Sequence, residues 1–204
     1  MFRDRKDAGQ KLAEALVDYK GKDSLVLALP RGGVPVGFEI AKVLECTIDT
    51  IVVRKIGAPG NPEYALGAIA PRGVVLLDAS REGLEEVIHG EEKELRRRIE
   101  KYKSGSYSGK VKPAVVFVVD DGVATGRTAH AALLAARAMY PNAELVFAVP
   151  VGALDSVREL QRYADKVVCL DTPSDFAAVG QWYERFDQTT DEEVVVCLEA
   201  ASRR

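Results

Sequence analysis

The sequence predicts an α/β fold, a parallel sheet covered by helices on both faces. Three observations carry that prediction. Short apolar runs rich in β-branched residues, Ser24 to Leu29, Val115 to Val119 and Leu145 to Val149, read as strands buried on both faces. Segments with helical spacing alternate with them, and repeated strand–helix–strand units build parallel sheets. With 204 residues and 47% hydrophobic content the chain can bury one good core, and no stretch reads as an interdomain linker, so a single domain over residues 1–204 is expected.

In chain order, Asp7 to Tyr19 places Leu12, Leu16 and Tyr19 at helical spacing, one stripe for burial. The strand Ser24 to Leu29 leads through Pro30-Arg31-Gly32-Gly33 into a helix from about Val34 to Leu44. Ile48 to Val53 is the next strand, ended by Arg54-Lys55. Residues 56–80 are rich in Gly and Pro and hold two short apolar runs, Ala65–Ala70 and Val74–Leu77. Arg81 to Lys103 is a long charged helix with Leu84, Ile88, Leu95, Ile99 and Tyr102 along one side; Arg96-Arg97-Arg98 belongs to its solvated face. Ser104 to Pro113 is a polar loop. An alanine-rich helix from about Arg127 to Met139, strand Leu145–Val149, helix Ala153–Tyr163 and strand Lys166–Leu170 follow, before a final segment ending in strand-like Val194–Leu198.

Several function classes are disfavoured by composition. A net charge of −3 gives no support for nucleic-acid binding. No apolar run is long enough to span a bilayer, and Met1 to Asp7 lacks the hydrophobic centre of a secretion signal, so a cytoplasmic protein is expected. Cys46, Cys169 and Cys197 are odd in number, far apart and set in apolar segments, as reduced core residues are. His89 and His130 have no ligand-spaced partner, so no resident metal cage is expected.

The chemistry concentrates in Val115 to Thr128. A buried strand is stopped by two adjacent carboxylates, Asp120 and Asp121, and a Gly- and Thr-containing turn then opens a helix. Backbone N–H groups at such a helix start, with the aligned peptide dipoles behind them, favour a phosphate. The two acids cannot hold phosphate, but a carboxylate can accept hydrogen bonds from sugar hydroxyls. A phosphate cradle one turn from a pair of hydroxyl acceptors describes a ribose 5-phosphate site. A P-loop does not fit, because Gly122 and Gly126 are one residue too close and Arg127 stands where its lysine belongs. Asp120 and Asp121 could also serve only to cap an ordinary strand–turn–helix connection.

The ordered string Val118 to Thr128 resembles the diphosphoribose-binding signature of type I phosphoribosyltransferases, and the likeness extends over nearly the whole chain. It implies a Rossmann-like sheet of the type I phosphoribosyltransferase fold, with a flexible loop and a small hood. The activity it implies is transfer of the 5-phosphoribosyl group from phosphoribosyl pyrophosphate to a nitrogenous base, with pyrophosphate leaving. By position Asp120 and Asp121 would hold the ribose hydroxyls. Gly122, Val123, Ala124, Thr125, Gly126, Arg127 and Thr128 would form the cradle for the 5-phosphate. Mg²⁺ would arrive on the pyrophosphate, without dedicated protein ligands.

Three more segments extend the resemblance. Pro30-Arg31-Gly32-Gly33 is similar to the family's pyrophosphate loop, which often holds a cis peptide; its glycines let backbone approach a ligand closely and Arg31 adds a guanidinium. Lys55 to Tyr64 resembles the mobile catalytic loop, so Arg54 and Lys55 would neutralise the departing pyrophosphate and residues 55–112 would form a lid hairpin and helical insertion. Pro173 to Phe186, within a hood-like segment over 172–190, is similar to the base-binding hood of hypoxanthine–guanine-type enzymes. There Phe176 would stack on the base, Val179 and Gly180 would flank it, and Glu184 would fall where that group has an acid near the metal. Phe176 and Trp182 could instead be core. That group also reads the 6-oxo group with a lysine after the preceding strand, where this chain has Val149-Pro150-Val151, which leaves the purine preference open.

The expected partners are therefore phosphoribosyl pyrophosphate and a small nitrogenous base, with homo-oligomerisation left open. A different class stays in view. Some members of this fold bind the same sugar phosphate as non-catalytic sensors that regulate nucleotide metabolism, since a fold and a ribose site do not prove turnover.

Overall fold

The computed structural model describes residues 1–77, 80, 82–102 and 112–202, leaving aside the side chains of residues 61–65. Five parallel strands form the central sheet in the order β2-β1-β6-β7-β8: β1 (Ser24–Ala28), β2 (Thr47–Thr50), β6 (Val115–Val119), β7 (Glu144–Val151) and β8 (Lys166–Asp171). Helices α1 (Arg5–Ala15), α2 (Gly33–Leu44), α4 (Arg127–Met139) and α5 (Leu154–Leu160) lie between or before the strands. β1 and β6 are buried at every position, as a strand covered on both faces must be. Leu12, Ile40, Phe117 and Leu44 share the core on one side of the sheet; Leu25, Leu133, Leu145 and Phe147 share the other.

The strand order reverses direction between β1 and β6. From β1 the chain steps outward to β2, whereas from β6 it steps the other way to β7 and β8. The loops leaving the carboxyl ends of β1 and β6 therefore diverge to opposite faces and leave a crevice, which is where open sheets of this kind take ligands.

The second strand is shorter than predicted. Ile51 still donates its N–H to Ala28 at 3.0 Å, but the chain then leaves the parallel sheet. Arg54 and Lys55 do not end that strand. They open β3 (Arg54–Ala58), which pairs antiparallel with β4 (Asn61–Ala70), and β4 pairs with β5 (Val74–Leu77) in a separate three-stranded sheet. Ile56, Ala68 and Ile69 are buried, so this small sheet has its own apolar contacts to make and recruits the cationic pair into its first strand. The long charged helix is α3 (Glu85–Tyr102), burying Ile88, Leu95 and Tyr102. The polar loop expected over Ser104 to Pro113 falls almost wholly outside the described residues.

Two further differences have local causes. The first helix ends at Ala15, and Val17–Tyr19 forms a short 3₁₀ turn that still buries Tyr19. The strand expected at Val194–Leu198 is instead part of α6 (Asp191–Ser202). Thr190 and Glu193 make a reciprocal cap, Thr190 N–H to Glu193 Oε2 at 2.7 Å and Glu193 N–H to Thr190 Oγ1 at 3.1 Å. Asp191, Glu192 and Glu193 also place three acids in the first turn, favourable to the helix dipole. Of the valines, Val194 is fully buried and Val196 is 64% exposed, so the run wraps around a helix instead of lying along a sheet.

The three cysteines are free and partly buried, and burial pushes the Cys46 and Cys169 thiols up to about 11. Among the described residues no helix is long and apolar enough to cross a membrane.

Candidate active site

At the crevice between β1 and β6 the two predicted loops meet. Leu29 donates its N–H to Val119 at 2.8 Å, which carries the β1–β6 pairing to the very end of the strands. The Pro30–Arg31 peptide bond is cis, and Gly32-Gly33 follows it into α2. A Cβ on Gly33 would lie 2.7 Å from the Val119 carbonyl oxygen and 3.2 Å from Asp120 Oδ1. A Cβ on Gly32 would lie 1.9 Å from Asp121 Oδ2. Only hydrogen at these two positions allows the loop to sit directly against the acid pair.

The acids differ in environment. Asp120 Oδ1 accepts the Asp121 N–H at 2.8 Å, and burial, then the neighbouring Asp121 charge, holds the Asp120 carboxyl well above the usual carboxylate range. Asp121 Oδ2 accepts from Arg5 Nε at 2.8 Å, with both side chains largely shielded from solvent. Tyr183, whose hydroxyl is held high by burial, donates to the Asp121 carbonyl at 2.6 Å.

The turn that follows is fastened at its base and open at its rim. Val123 N–H donates to the Val151 carbonyl at 3.0 Å, Ala153 N–H to the Val123 carbonyl at 2.9 Å, and the Ser156 hydroxyl to the Ala124 carbonyl at 2.5 Å. Gly126 takes φ +74° and caps α4 with no side-chain hydrogen bond, and Thr125 and Thr128 are exposed. By helix geometry the N–H groups of a first turn point out of the end of the helix, so the start of α4 turns its amides outward.

Residues 173–186 arrive from the far side. Val179 opens a short 3₁₀ turn, Val179–Trp182, and packs onto Gly122, where a Cβ would come within 2.5 Å of its Cγ1. Phe176, Val179 and Trp182 are partly buried against a small cluster of Phe2, Ala8, Val151 and Tyr183. Phe2 forms a bridge with Tyr183, donating its N–H to the Trp182 carbonyl at 2.8 Å and accepting from the Glu184 N–H at 2.8 Å. Glu184 is exposed.

The structure thus brings Arg31, Gly32, Gly33, Asp120, Asp121, Gly122 and Val179 around one crevice. Arg54 and Lys55 stand apart in the small sheet. Arg54 Nε donates to Glu91 Oε2 of α3 at 2.7 Å, while Lys55 is exposed in β3 opposite Ala68.

Sequence reasoning missed Arg5, Tyr183 and Asp191. Arg5 also donates from Nη1 to the Asp187 carbonyl at 2.6 Å and stacks its guanidinium 4.0 Å from the Phe186 ring centroid. Asp191 gathers Lys101 Nζ at 2.6 Å, the Tyr102 hydroxyl, and Arg31 Nη1 at 3.9 Å, and the Lys101 and Tyr102 bonds lower its carboxyl. The partners of Arg5 and Asp191 lie tens of residues away, so no local motif marks either residue. The capping box at Thr190–Glu193 and the three acids of the first turn are local signals that could have placed Asp191 on a helix.

The first turn of α1 is secured by Asp7, whose side chain is 9% exposed. It accepts from Lys11 Nζ at 2.9 Å and from Arg3 at 3.0 to 3.2 Å, which lowers its carboxyl to about 2, the Lys11 bond being the largest cause. A depressed carboxylate stabilises the fold above its ordinary value of 3.8, and that contribution is lost as pH falls toward 2. Asp7→Asn is therefore expected to cost about 1–2 kcal/mol at pH 7 and close to nothing at pH 2. Urea unfolding of both proteins at the two pH values checks this; an equal loss at pH 2 would mean the side chain acts through packing and not through charge.

Comparison with known proteins identifies the family. A family model described as "Phosphoribosyl transferase domain" matches residues 3–200. Two strains of Mycobacterium tuberculosis, CDC 1551 / Oshkosh and H37Rv, each have a protein provisionally named a phosphoribosyl transferase that is 45% identical over 211 residues, spanning 100% of this chain and 47% of the relative. The chain thus spans about half the length of these curated relatives. The crystal structure of TT1426 from Thermus thermophilus is similar with a TM-score of 0.81 at 42% identity, over 98% of this chain and 99% of that one. A hypoxanthine phosphoribosyltransferase from Staphylococcus aureus shares the fold, with a TM-score of 0.50 at 13% identity over 92% of this chain and 88% of that one. The chain belongs to the phosphoribosyl transferase domain family.

Proposed function

We propose that this chain transfers a 5-phosphoribosyl group from phosphoribosyl pyrophosphate to a nitrogenous base and releases pyrophosphate. The observation that carries this reading is the packing of Gly32 and Gly33 directly against Asp121 and Asp120 at the sheet's reversal point. It sets amides and a guanidinium on one side of a carboxylate pair, with the turn of Thr125 to Thr128 at the start of α4 on the other. A 5-phosphate at the turn, ribose hydroxyls at the acids and pyrophosphate at Arg31 to Gly33 span that arrangement in order.

In the reaction the bond from the anomeric carbon to the pyrophosphate oxygen breaks and a bond to the base nitrogen forms, with the electron pair leaving on pyrophosphate. Positive charge develops on the ribose ring while the protein holds both ends of the molecule still, so positioning and electrostatics supply most of the rate. Mg²⁺ carried in on the ligand's own phosphates, without dedicated protein ligands, would offset leaving-group charge. Phe176 and Val179 would flank the base, as part of a hood over 172–190. Lys55, in the lid formed by β3 and β4, would meet the pyrophosphate on closure.

The test is a screen of purine and pyrimidine bases with phosphoribosyl pyrophosphate and Mg²⁺, reading pyrophosphate release. Lys55→Ala is expected to cut turnover on the active base by about 100-fold, as loss of a transition-state electrostatic partner does, while ribose 5-phosphate affinity changes little. Binding of phosphoribosyl pyrophosphate that depends on Lys55, with no base giving release, would identify a ligand sensor instead.

A further inference from the structure

Building on that reading of the site, we propose that Arg5 is a second diphosphate-binding cation, supplied to the leaving-group subsite by the first residue of α1. A cavity of about 310 Å³ beside the Arg31–Gly32 loop is lined by Arg5, Arg31, Gly32, Phe186, Gln188 and Thr189. Two guanidiniums face it and, among the described residues, no acid lines it, which is the composition of an anion site. The sequence reading expected Arg31 there together with Arg54 and Lys55, and those two stand apart in the small sheet.

Arg5 is held ready for this role. Its bonds to Asp121 Oδ2 and the Asp187 carbonyl, with the Phe186 ring 4.0 Å beneath, fix the plane of the fork, and the side chain is only 13% exposed. Those bonds use two of the five donors that a guanidinium carries, so the group can grip an anion without giving up its supports. An arginine immobilised before the ligand arrives loses little entropy when it binds. The charge arithmetic points the same way. A phosphorylated sugar diphosphate must approach two adjacent carboxylates, and Arg5 offsets one of them at contact distance. Arg31 approaches Asp191 only to 3.9 Å, a separation from which its fork can turn to the cavity.

A merely structural Arg5 would anchor residues 186–187 to the acid pair and contribute nothing to ligand selectivity. Calorimetry separates the two roles, using inorganic pyrophosphate with Mg²⁺ and, independently, ribose 5-phosphate. Arg5→Gln is expected to weaken pyrophosphate about tenfold or more, the effect of losing one charge-assisted partner, with ribose 5-phosphate within about twofold of wild type. Arg5→Lys should recover part of the pyrophosphate affinity, since it restores the charge without the fork. Pyrophosphate bound equally by wild type and Arg5→Gln would overturn the inference. So would parallel losses for both ligands with a lowered melting temperature, the mark of an anchor. Wild-type protein that binds ribose 5-phosphate but not pyrophosphate refutes the role of Arg5 alone, whereas wild type that binds neither refutes the proposed function with it.

Discussion

Asparagine at both Asp120 and Asp121 is expected to remove measurable binding of phosphoribosyl pyrophosphate from a protein that still folds. Each hydrogen bond between a hydroxyl and a carboxylate is worth about 1.5–3 kcal/mol, roughly tenfold to a hundredfold in affinity per acid. The structure adds a second expectation for Asp120 alone. Burial and the Asp121 charge raise its carboxyl above the ordinary value of 3.8, so its folding contribution is most favourable below that value and is lost as pH rises through the raised one. At neutral pH, above the ordinary value, the acid is therefore a burden on the fold. Asp120→Asn keeps an acceptor for the Asp121 N–H but sheds the charge, so the melting temperature should rise at pH 7 and match wild type near pH 3. A residue whose removal stabilises the fold and abolishes binding is kept for the ligand. Calorimetry and thermal melts on the single and double variants decide it; wild-type affinity in a folded double variant would sink the ribose assignment.

Gly33→Ala carries the other large effect. The new methyl would lie 2.7 Å from the Val119 carbonyl oxygen and 2.9 Å from Asp120 Cα. Both are backbone atoms at the end of a central strand, so nothing nearby can swing aside, in contrast to the Asp121 carboxylate that Gly32 faces. Relief requires the loop and β6 to part. Overpacking of that kind costs about 1–3 kcal/mol, and a displacement approaching 1 Å between positioning groups costs on the order of 100-fold in turnover. Gly90→Ala is the control, since a Cβ there meets nothing within 4 Å and the helix should gain up to about 1 kcal/mol. Equal behaviour of the two variants in denaturant unfolding and turnover would show that the loop is not seated against the acids as described.

How much of this was readable from the sequence depended on the range of the interactions. The strands β1, β6 and β7 were legible because burial on both faces writes a continuous apolar run. The acid pair and the turn after it were legible because strand, carboxylates, glycine and threonines are consecutive. Arg54 and Lys55 were assigned to the end of the second strand because nothing local distinguishes a strand end from a new antiparallel strand; pairing with β4 decides it. Val194 to Leu198 has strong β propensity, and it was overridden by the cap at Thr190 and Glu193 and by packing of the helix on α2. Arg5 was invisible, because its role exists only once residues 116 positions away are folded against it.

That separation also says something about the order of assembly. Two blocks of the sheet, β1–β2 and β6–β7–β8, grow from neighbouring strand–helix–strand units, and the β1–β6 pairing, Ser24 opposite Val115, then joins them across about 90 positions of chain. The crevice needs a longer closure. It is finished only when Phe2 and Arg5 meet residues 182–187, a closure over about 180 positions of chain. Such closures pay their entropy before any contact returns it, so they come late in folding and are the first to open. A folding intermediate of this protein would therefore hold the sheet while lacking the ligand site, and substrate would add its stabilisation to the last step alone.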